Sequence, residues 1–324
     1  METISGTASW QLTIQRTADS VTILRAATCD KTAALPDSVF GLPVTCLADH
    51  AFAPSLPETE GEQVEIRHGI PSGPFDNGSL EELFLPDTIK RIESYAFMKC
   101  RELKSLHLWD EIEYFGSDIF MNCRSLSSVE INRSSEKQGE ALAYIVKGIT
   151  RELDVTVRQS NGETIRLIFP EYFEKLTENE PTHFFNFTIE GGGYPYHSVF
   201  VRNRLDLNQY DSLWEKYISG PHEEETALRL AWMRLKYPAG LSGEYREKYW
   251  EYIRLRIRKA LLMVLESGDI AGLQLLLDQR EVQPEDLSAA ADKARNEHKT
   301  EALTLLLETR HRRFSGEMRK KYDL

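Results

Sequence analysis

The fold of this chain is decided between Leu80 and Trp109, where the sequence reads LEELFLPDTIKRIESYAFMKCRELKSLHLW. Its apolar positions return at a fixed interval, and a third, partial copy follows. The recurring residues are Leu80, Leu83, Leu85, Ile92, Phe97 and Cys100, then Leu103, Leu106, Leu108, Phe115, Phe120 and Cys123, and then Leu126, Val129 and Ile131. A constant period of about 23 residues is the signature of a repeat protein. We therefore predict a short solenoid whose stacked coils share one continuous core.

A degenerate earlier copy lies at residues 42–52. In it an apolar residue precedes Phe52 by the same interval that separates Ile92 from Phe97. Residues 54–77 are rich in Pro, Gly and Glu, so we predict that they form a loop inserted between the two copies.

The residues between the leucines point away from the core, because side chains alternate along a strand. Phe84, His107 and Glu130 are each separated by one repeat period, and we expect them to line up across the sheet. Aromatic anchors surrounded by acidic side chains are typical of binding hot spots. The predicted partner-binding face consists of Glu82, Phe84, Ser105, His107, Trp109 and Glu130.

The run from Leu85 to Cys100, followed by RELKSL at 101–106, resembles the BspA-type (Treponema pallidum-type) leucine-rich repeat family. The resemblance covers roughly residues 35–132. It implies a right-handed solenoid used in protein binding, often on bacterial or protist surfaces. This chain departs from the family at Trp109, where proline is usual. We also expect it to have no surface-targeting signal of the family's usual kind.

Composition and charge limit the class of protein. A hydrophobic content of 41% fills real cores, and no apolar run approaches the ~20 residues that span a bilayer. The N-terminus lacks a basic segment followed by an apolar one, so we expect no secretory signal. Four cysteines are few, which favours a reducing cytoplasm as the compartment. The resemblance to the BspA-type family favours a bacterial source. The net charge of −12 disfavours nucleic acid and anionic membranes as partners.

Residues 136–221 predict a small β-rich unit that begins with a helix at 140–149. Alternating residues at 153–169, around a Ser-Asn-Gly-Glu turn, predict a β-hairpin. A second alternating pair at 185–201 surrounds Gly191, Gly192 and Gly193, and we predict a hairpin turn there. A phosphate-binding loop is the alternative, but the triplet lacks the Lys-Ser/Thr pair and the helix start of such loops.

Residues 222–324 predict an all-α region. One apolar stripe at helical spacing contains Tyr245, Tyr249, Ile253, Ile257, Leu261 and Leu265. Two helix pairs then follow at a constant offset, with Ala260 matching Ala290 and residues 273–277 matching 303–307. This pattern is similar to ankyrin repeats, although the Thr-Pro-Leu-His signature is missing.

Other patterns allow sharper chemistry. Cys100 and Cys123 would lie roughly 5 Å apart on adjacent coils, where a bridge or a metal is conceivable. No CxxC pair accompanies them, and a closed zinc site needs four ligands, so we interpret them as buried core thiols. Basic residues at 246–259 and 310–321 suggest nucleic acid, but acidic residues dilute the first group and the chain is acidic overall.

An acidic cluster near His183 is the main candidate for catalysis, together with His197 further along the chain. Such charge runs are usually solvated faces, so we do not predict an active site from them. The members of the cluster are Glu171, Glu174, Glu178 and Glu180.

We predict a mixed α and β protein with three parts: a leucine-rich repeat solenoid with an N-terminal cap at 1–135, a connecting β-rich unit at 136–221 and a helical-repeat domain at 222–324. Its predicted function is non-catalytic binding of a protein partner, with no cofactor and no metal. A surface adhesin is one alternative. An enzyme with its site within residues 165–200 is the other.

Overall fold

The computed structural model describes residues 8–54, 59–68, 73–135, 139–179 and 184–320. The chain divides into two compact units, Met1–His222 and Glu223–Leu324. The first is mainly β and the second is helical, so the mixed class is confirmed. The predicted division into three parts, with a boundary at residue 135, stays a prediction.

Short strands dominate the first unit. In chain order they are β1 (Trp10–Arg16), β2 (Val21–Thr28), β3 (Thr32–Ala34), β4 (Ser38–Val39), β5 (Leu42–Leu47), β6 (Glu62–Ile66), β7 (Glu82–Phe84), β8 (Arg91–Ile92), β9 (Ser105–Trp109), β10 (Tyr114–Phe115), β11 (Ser128–Asn132), β12 (Leu153–Arg158), β13 (Thr164–Phe169), β14 (Phe173–Asn179), β15 (Phe184–Glu190), β16 (Phe200–Val201) and β17 (Arg204–Leu205). Its helices are α1 (Ala141–Lys147), α2 (Leu207–Ser212) and α3 (Trp214–Ser219), and a 3-10 turn covers Tyr196–Ser198.

One sheet, here called the front sheet, contains the repeated leucine strands. Its order is β13-β12-β11-β9-β7-β3, and all neighbours are parallel except β12 and β13. Leu83, Leu106 and Val129 lie in register across β7, β9 and β11 and are wholly buried. Neighbouring residues on β7, β9 and β11 are one repeat period apart in the sequence, so each repeat forms one coil and the coils stack. The predicted solenoid is confirmed.

A second sheet forms the return side of the coils. Strands β5, β8 and β10 are parallel there and place Leu47, Ile92 and Phe115 in register. The degenerate copy at residues 42–52 is therefore a coil of the solenoid, as predicted. The hairpin of β1 and β2 continues this sheet toward the N-terminus.

Aromatic and thiol ladders fill the return side. The ring centroids of Phe52 and Phe97 are 5.1 Å apart, and those of Phe97 and Phe120 are 5.5 Å apart. The Cys100 thiol donates to the Phe52 carbonyl oxygen at 3.3 Å, and the Cys123 thiol donates to that of Phe97 at 2.8 Å. Both cysteines are free; Cys100 is buried, as a core thiol should be, and Cys123 is half-buried. The pKa of Cys100 is raised above its usual value. The larger cause is hydrogen bonding with Cys123, and the second is burial.

The prediction that residues 54–77 form a simple loop is wrong in two places. Strand β6 pairs antiparallel with β1, because its side chains alternate well enough to add an edge strand. Asn77 stands one repeat period before Cys100 and takes the same place in the ladder. Its amide nitrogen donates to the Phe52 carbonyl oxygen at 3.0 Å.

The elements that follow the repeats extend the solenoid. Helix α1 and the hairpin of β12 and β13 are found where the sequence predicts them. Strand β12 pairs in parallel with β11, so the hairpin continues the front sheet.

The second predicted hairpin is wrong. Strand β15 pairs antiparallel with β14 along its whole length, while β16 pairs with β17. The acidic segment that forms β14 pairs with β15 over seven residues, more than residues 197–201 could provide. Gly191–Gly193 therefore connects β15 to the 3-10 turn and closes no hairpin. A Cβ at Gly193 would overlap the Pro170 carbonyl oxygen, so the backbone approach requires glycine.

The second unit consists of α4 (Glu224–Lys236), α5 (Gly243–Arg254), α6 (Ile257–Glu266), α7 (Ile270–Leu277), α8 (Pro284–Asn296) and α9 (Thr300–Lys320). The predicted apolar stripe is divided between α5 and α6, because the helix breaks at Arg256, with φ −126°. The constant offset between the helix pairs is visible in the backbone, since Gly268 and His298 both have positive φ, 70° and 56°. The likeness to ankyrin repeats stays a prediction.

Candidate functional site

The predicted partner-binding face lies on the solvent side of the front sheet. Its six members alternate with the buried leucines and are all half-buried. Phe84 faces His107 across β7 and β9, and His107 faces Glu130 across β9 and β11. The expected alignment of these three residues is therefore confirmed. Their role in binding stays a prediction.

The centre of this face is a stacked pair of rings. The Phe84 and His107 centroids are 4.0 Å apart and their planes differ by 12°. The Nε2 atom of His107 lies 2.9 Å from Glu82 Oε1 and 3.2 Å from Ser105 Oγ. Only 18% of the His107 side chain is exposed. Four of the six predicted residues thus form one contact cluster.

Two carboxylate–guanidinium pairs border the cluster. Glu130 accepts from Arg158 at 2.6 and 2.9 Å, and Asp154 accepts from Arg166 at 2.9 and 2.7 Å. Both pairs are bidentate, a geometry that orients planar groups firmly. Sequence reasoning missed Asp154, Arg158 and Arg166 as members of the face. The available signal was the alternation within the β12–β13 hairpin, which indicates outward residues without showing that the hairpin joins β11.

Trp109 lies one row further along, opposite Asn132. It is half-buried at the end of β9, where the strand meets the turn. The face therefore offers an indole, a phenyl–imidazole stack and charges that are held by their own partners. This combination suits recognition of a protein surface.

Ser105, His107 and Glu82 do not form a catalytic triad. In a triad, the serine and the carboxylate use opposite ring nitrogens of the histidine. Here both oxygens approach Nε2. When Nε2 donates its proton to Glu82, it has no lone pair to accept the proton of Ser105. The cluster can orient hydrogen bonds, but this geometry does not activate the serine.

The alternative catalytic region at 165–200 places its acids and histidines as follows. Glu174 is exposed on β14, opposite Ile189, and Glu171 is half-buried just before that strand. Glu180, His183 and the side chain of Glu178 lie outside the described residues. Spacings of three and four residues would place Glu171, Glu174 and Glu178 on one face of a helix, but β14 is an extended strand and no such face forms there.

The ring of His197 is buried between backbone carbonyl groups. It is 2% exposed, its Nδ1 lies 2.9 Å from the Val146 carbonyl oxygen, and its Nε2 lies 2.9 Å from that of Pro170. Burial lowers the pKa of His197, while these carbonyls oppose the shift. A backbone carbonyl oxygen lies against each ring nitrogen, and the neutral ring donates its single N–H to one of them. His197 therefore joins α1 to the segment before β14 and is not placed to act as a general base.

The β14–β15 hairpin has an exposed apolar side, which sequence reasoning missed. Leu176, Phe185 and Phe187 share one side of it and are 60–63% exposed, and Ile189 extends the same side. Ile189 also lines a cavity of about 350 Å³, whose other walls include Tyr194, Tyr196, Leu213, Lys216 and Tyr217. The tyrosines between residues 194 and 217 were the available sequence signal for this cavity, but tyrosines at such spacings are equally typical of an ordinary protein core.

Within the described ranges, no group of three or more His, Cys, Asp or Glu side chains is arranged to hold a metal ion. None of the helices described there combines the length and the apolar character needed to cross a bilayer.

A protein-family model matches part of the first unit. Residues 68–151 match the family model described as "BspA type Leucine rich repeat region", in six copies. A solved structure of the T. pallidum Leucine Rich Repeat protein is similar at 22% identity, covering 39% of this chain and 74% of that one, with a TM-score of 0.23. No curated protein matches the chain. Together with the regular coils, the family match identifies residues 68–151 as a BspA-type leucine-rich repeat region.

Proposed function

We propose that this protein is a non-catalytic binding module that recognises a protein partner through the solvent side of the front sheet. The observation that supports the proposal is the stack of Phe84 on His107, with Trp109 in the next row. Rigid aromatic groups lose little entropy on binding, and such residues dominate hot spots. Leucine-rich repeats in general serve as binding surfaces, which supports the same role.

The partner is a folded protein or a peptide and not a nucleic acid. The candidate face has two guanidinium groups, and Glu130 and Asp154 neutralise both. The whole chain carries a net charge of −12. Binding to a phosphate backbone needs clustered cations that displace the counterions condensed on it, and the described residues of this face do not offer such a cluster.

The proposed compartment is the bacterial cytoplasm. No disulfide joins the four cysteines, and thiols in that state fit a reducing environment. A secreted adhesin is the competing function, and it predicts that an extracellular ligand binds the same face.

The test begins with capture of partners from a lysate of the source cells by the full-length chain, followed by affinity measurement with the purified partner. The variant Phe84→Ala/His107→Ala/Trp109→Ala, here called the aromatic-row variant, removes the Phe84–His107 stack and the indole of the neighbouring row. The matched control Phe40→Ala/Tyr114→Ala/Met121→Ala removes three exposed apolar side chains from other positions of the first unit.

We expect the aromatic-row variant to lose at least about 30-fold in affinity, since a hot-spot residue contributes about 2 kcal/mol or more. The control variant should bind like the wild type. Equal binding by both variants would remove the front sheet as the site. Binding only to an extracellular protein would favour the adhesin.

A further inference from the structure

The cavity beside the β14–β15 hairpin has well-defined walls, and none of its lining residues belongs to the front sheet. It has a volume of about 350 Å³, which falls in the range of small-molecule pockets. All of its walls come from residues 189–221 of the first unit. Most of the lining is apolar or aromatic, with Ile189 on one side and Leu213 on another.

Close backbone approaches define the shape of the cavity. A Cβ at Gly192 would lie 2.8 Å from the ring of Tyr217, so only glycine allows this packing. Gly193 is held against the Pro170 carbonyl group in the same way. The loop and helix α3 therefore keep fixed positions around the space. A pocket that is already formed binds with little reorganisation.

Two polar groups on the lining lack partners. The side chain of Lys216 forms neither a hydrogen bond nor an ion pair with any residue that the structure describes. Tyr196 is wholly buried, and its hydroxyl group has no hydrogen-bond partner among the described residues. Burial raises the pKa of Tyr196, so the hydroxyl group stays protonated and remains a donor at neutral pH. A buried donor without an acceptor is unusual in a folded protein.

We propose that this cavity binds an aromatic or branched aliphatic group that carries a carboxylate. The apolar part of the ligand contacts Tyr194, Tyr217 and Leu213. The carboxylate is attracted by the Lys216 ammonium group, which is the only side-chain cation that lines the described cavity. Tyr196 also lines the cavity, and its hydroxyl group supplies a hydrogen-bond donor to the carboxylate.

An apolar group that carries a carboxylate occurs both in a free aromatic acid and at the C-terminus of a peptide. The apolar side of the hairpin adjoins the cavity through Ile189. A peptide would gain contacts with Phe187 and Leu176 that a small acid cannot reach. Affinity for the two kinds of probe therefore distinguishes the sources.

Isothermal titration calorimetry on the full-length chain tests the proposal with four probes. They are 3-phenylpropionate, its neutral analogue 3-phenylpropanol, the peptide Ala-Ala-Leu-Phe with a free carboxylate, and the same peptide with an amidated C-terminus. We expect each acid to bind more tightly than its neutral counterpart by about fivefold, as expected for an exposed ion pair. Tighter binding of the peptide acid would identify a peptide C-terminus as the source, and equal affinities would identify a free acid.

Lys216→Gln should remove the preference for the acids, and Lys216→Arg should retain it. Lys99→Gln removes the same charge from an exposed position on the repeat and should change nothing. Tyr196→Phe should weaken binding of the acids without lowering the stability of the free protein. The proposal is overturned if no probe binds at millimolar concentration, or if Lys216→Gln binds the acids as the wild type does.

Discussion

Arg133 donates from Nε to Oδ2 of Asp110 at 2.8 Å, and the two side chains are only 7% and 2% exposed. These residues are separated by one repeat period and lie just after β11 and β9. The same carboxylate accepts from the backbone amides of Gly139 at 2.9 Å and Ala141 at 3.3 Å. Asp110 thus joins the last repeat coils to the start of α1, because it satisfies groups from both.

We expect Asp110→Asn to destabilise the first unit by about 3–5 kcal/mol, since it leaves the Arg133 cation buried without its counter-charge. Urea denaturation measures the change. Glu81→Gln is the matched control, because the ion pair between Glu81 and Lys104 is exposed and its loss should be undetectable. Asp110→Asn/Arg133→Met should recover much of the stability. Failure of that rescue would show that the backbone bonds of Asp110, and not the charge, dominate.

The aromatic ladder should be the most sensitive part of the repeat core. Phe97 is wholly buried, stacks on Phe120, and contacts Phe52 with the two ring planes tilted by 33°. We expect Phe97→Ala to cost about 3–5 kcal/mol in the free energy of unfolding, because it leaves a cavity between two coils. Met121→Ala, at a side chain that is 48% exposed, should change it by less than about 0.5 kcal/mol. A similar loss in both variants would contradict the ladder as the main source of stability.

The loop at Gly191–Gly193 should tolerate no side chain at its last position. We expect Gly193→Ala to destabilise the protein by about 3 kcal/mol, since the added methyl group overlaps the Pro170 carbonyl oxygen. Gly73→Ala is the control, because a Cβ there meets nothing within 4 Å. Thermal unfolding compares the two variants, and an unchanged transition in Gly193→Ala would refute the close approach.

Stability should fall in mild acid because of His197. Burial lowers its pKa in the folded protein from the ordinary value of 6.5, so the unfolded chain binds the proton more tightly. The contribution of His197 is therefore complete above about pH 6.5 and is lost as the pH falls toward the lower pKa of the folded state. Urea denaturation at pH 7.5 and pH 5 measures this loss.

His197→Gln removes the titrating group and should reduce the difference between the two pH values. His68→Gln serves as the control, because His68 is exposed. If the wild type and His197→Gln showed the same dependence on pH, other groups would be responsible for the acid sensitivity.

Much of the first unit could be predicted from the sequence because the repeat is encoded locally. The alternation of Leu83 with Phe84 determines which side chain is buried, and the repeat period determines the register of the coils. Both patterns are properties of neighbouring residues. The row from Phe84 through His107 to Glu130 follows from them without any knowledge of the rest of the chain.

Only the tertiary structure decided which segments meet after the repeat ends. The choice of β14 as the partner of β15, the joining of β12 to β11 and the place of Asn77 in the thiol ladder all depend on competition between distant segments. The cavity at Tyr196 depends on the same competition, because its walls come from a hairpin, a glycine loop and α3. Sequence patterns describe the preference of one segment, whereas such contacts are selected by the packing energy of two or more segments together.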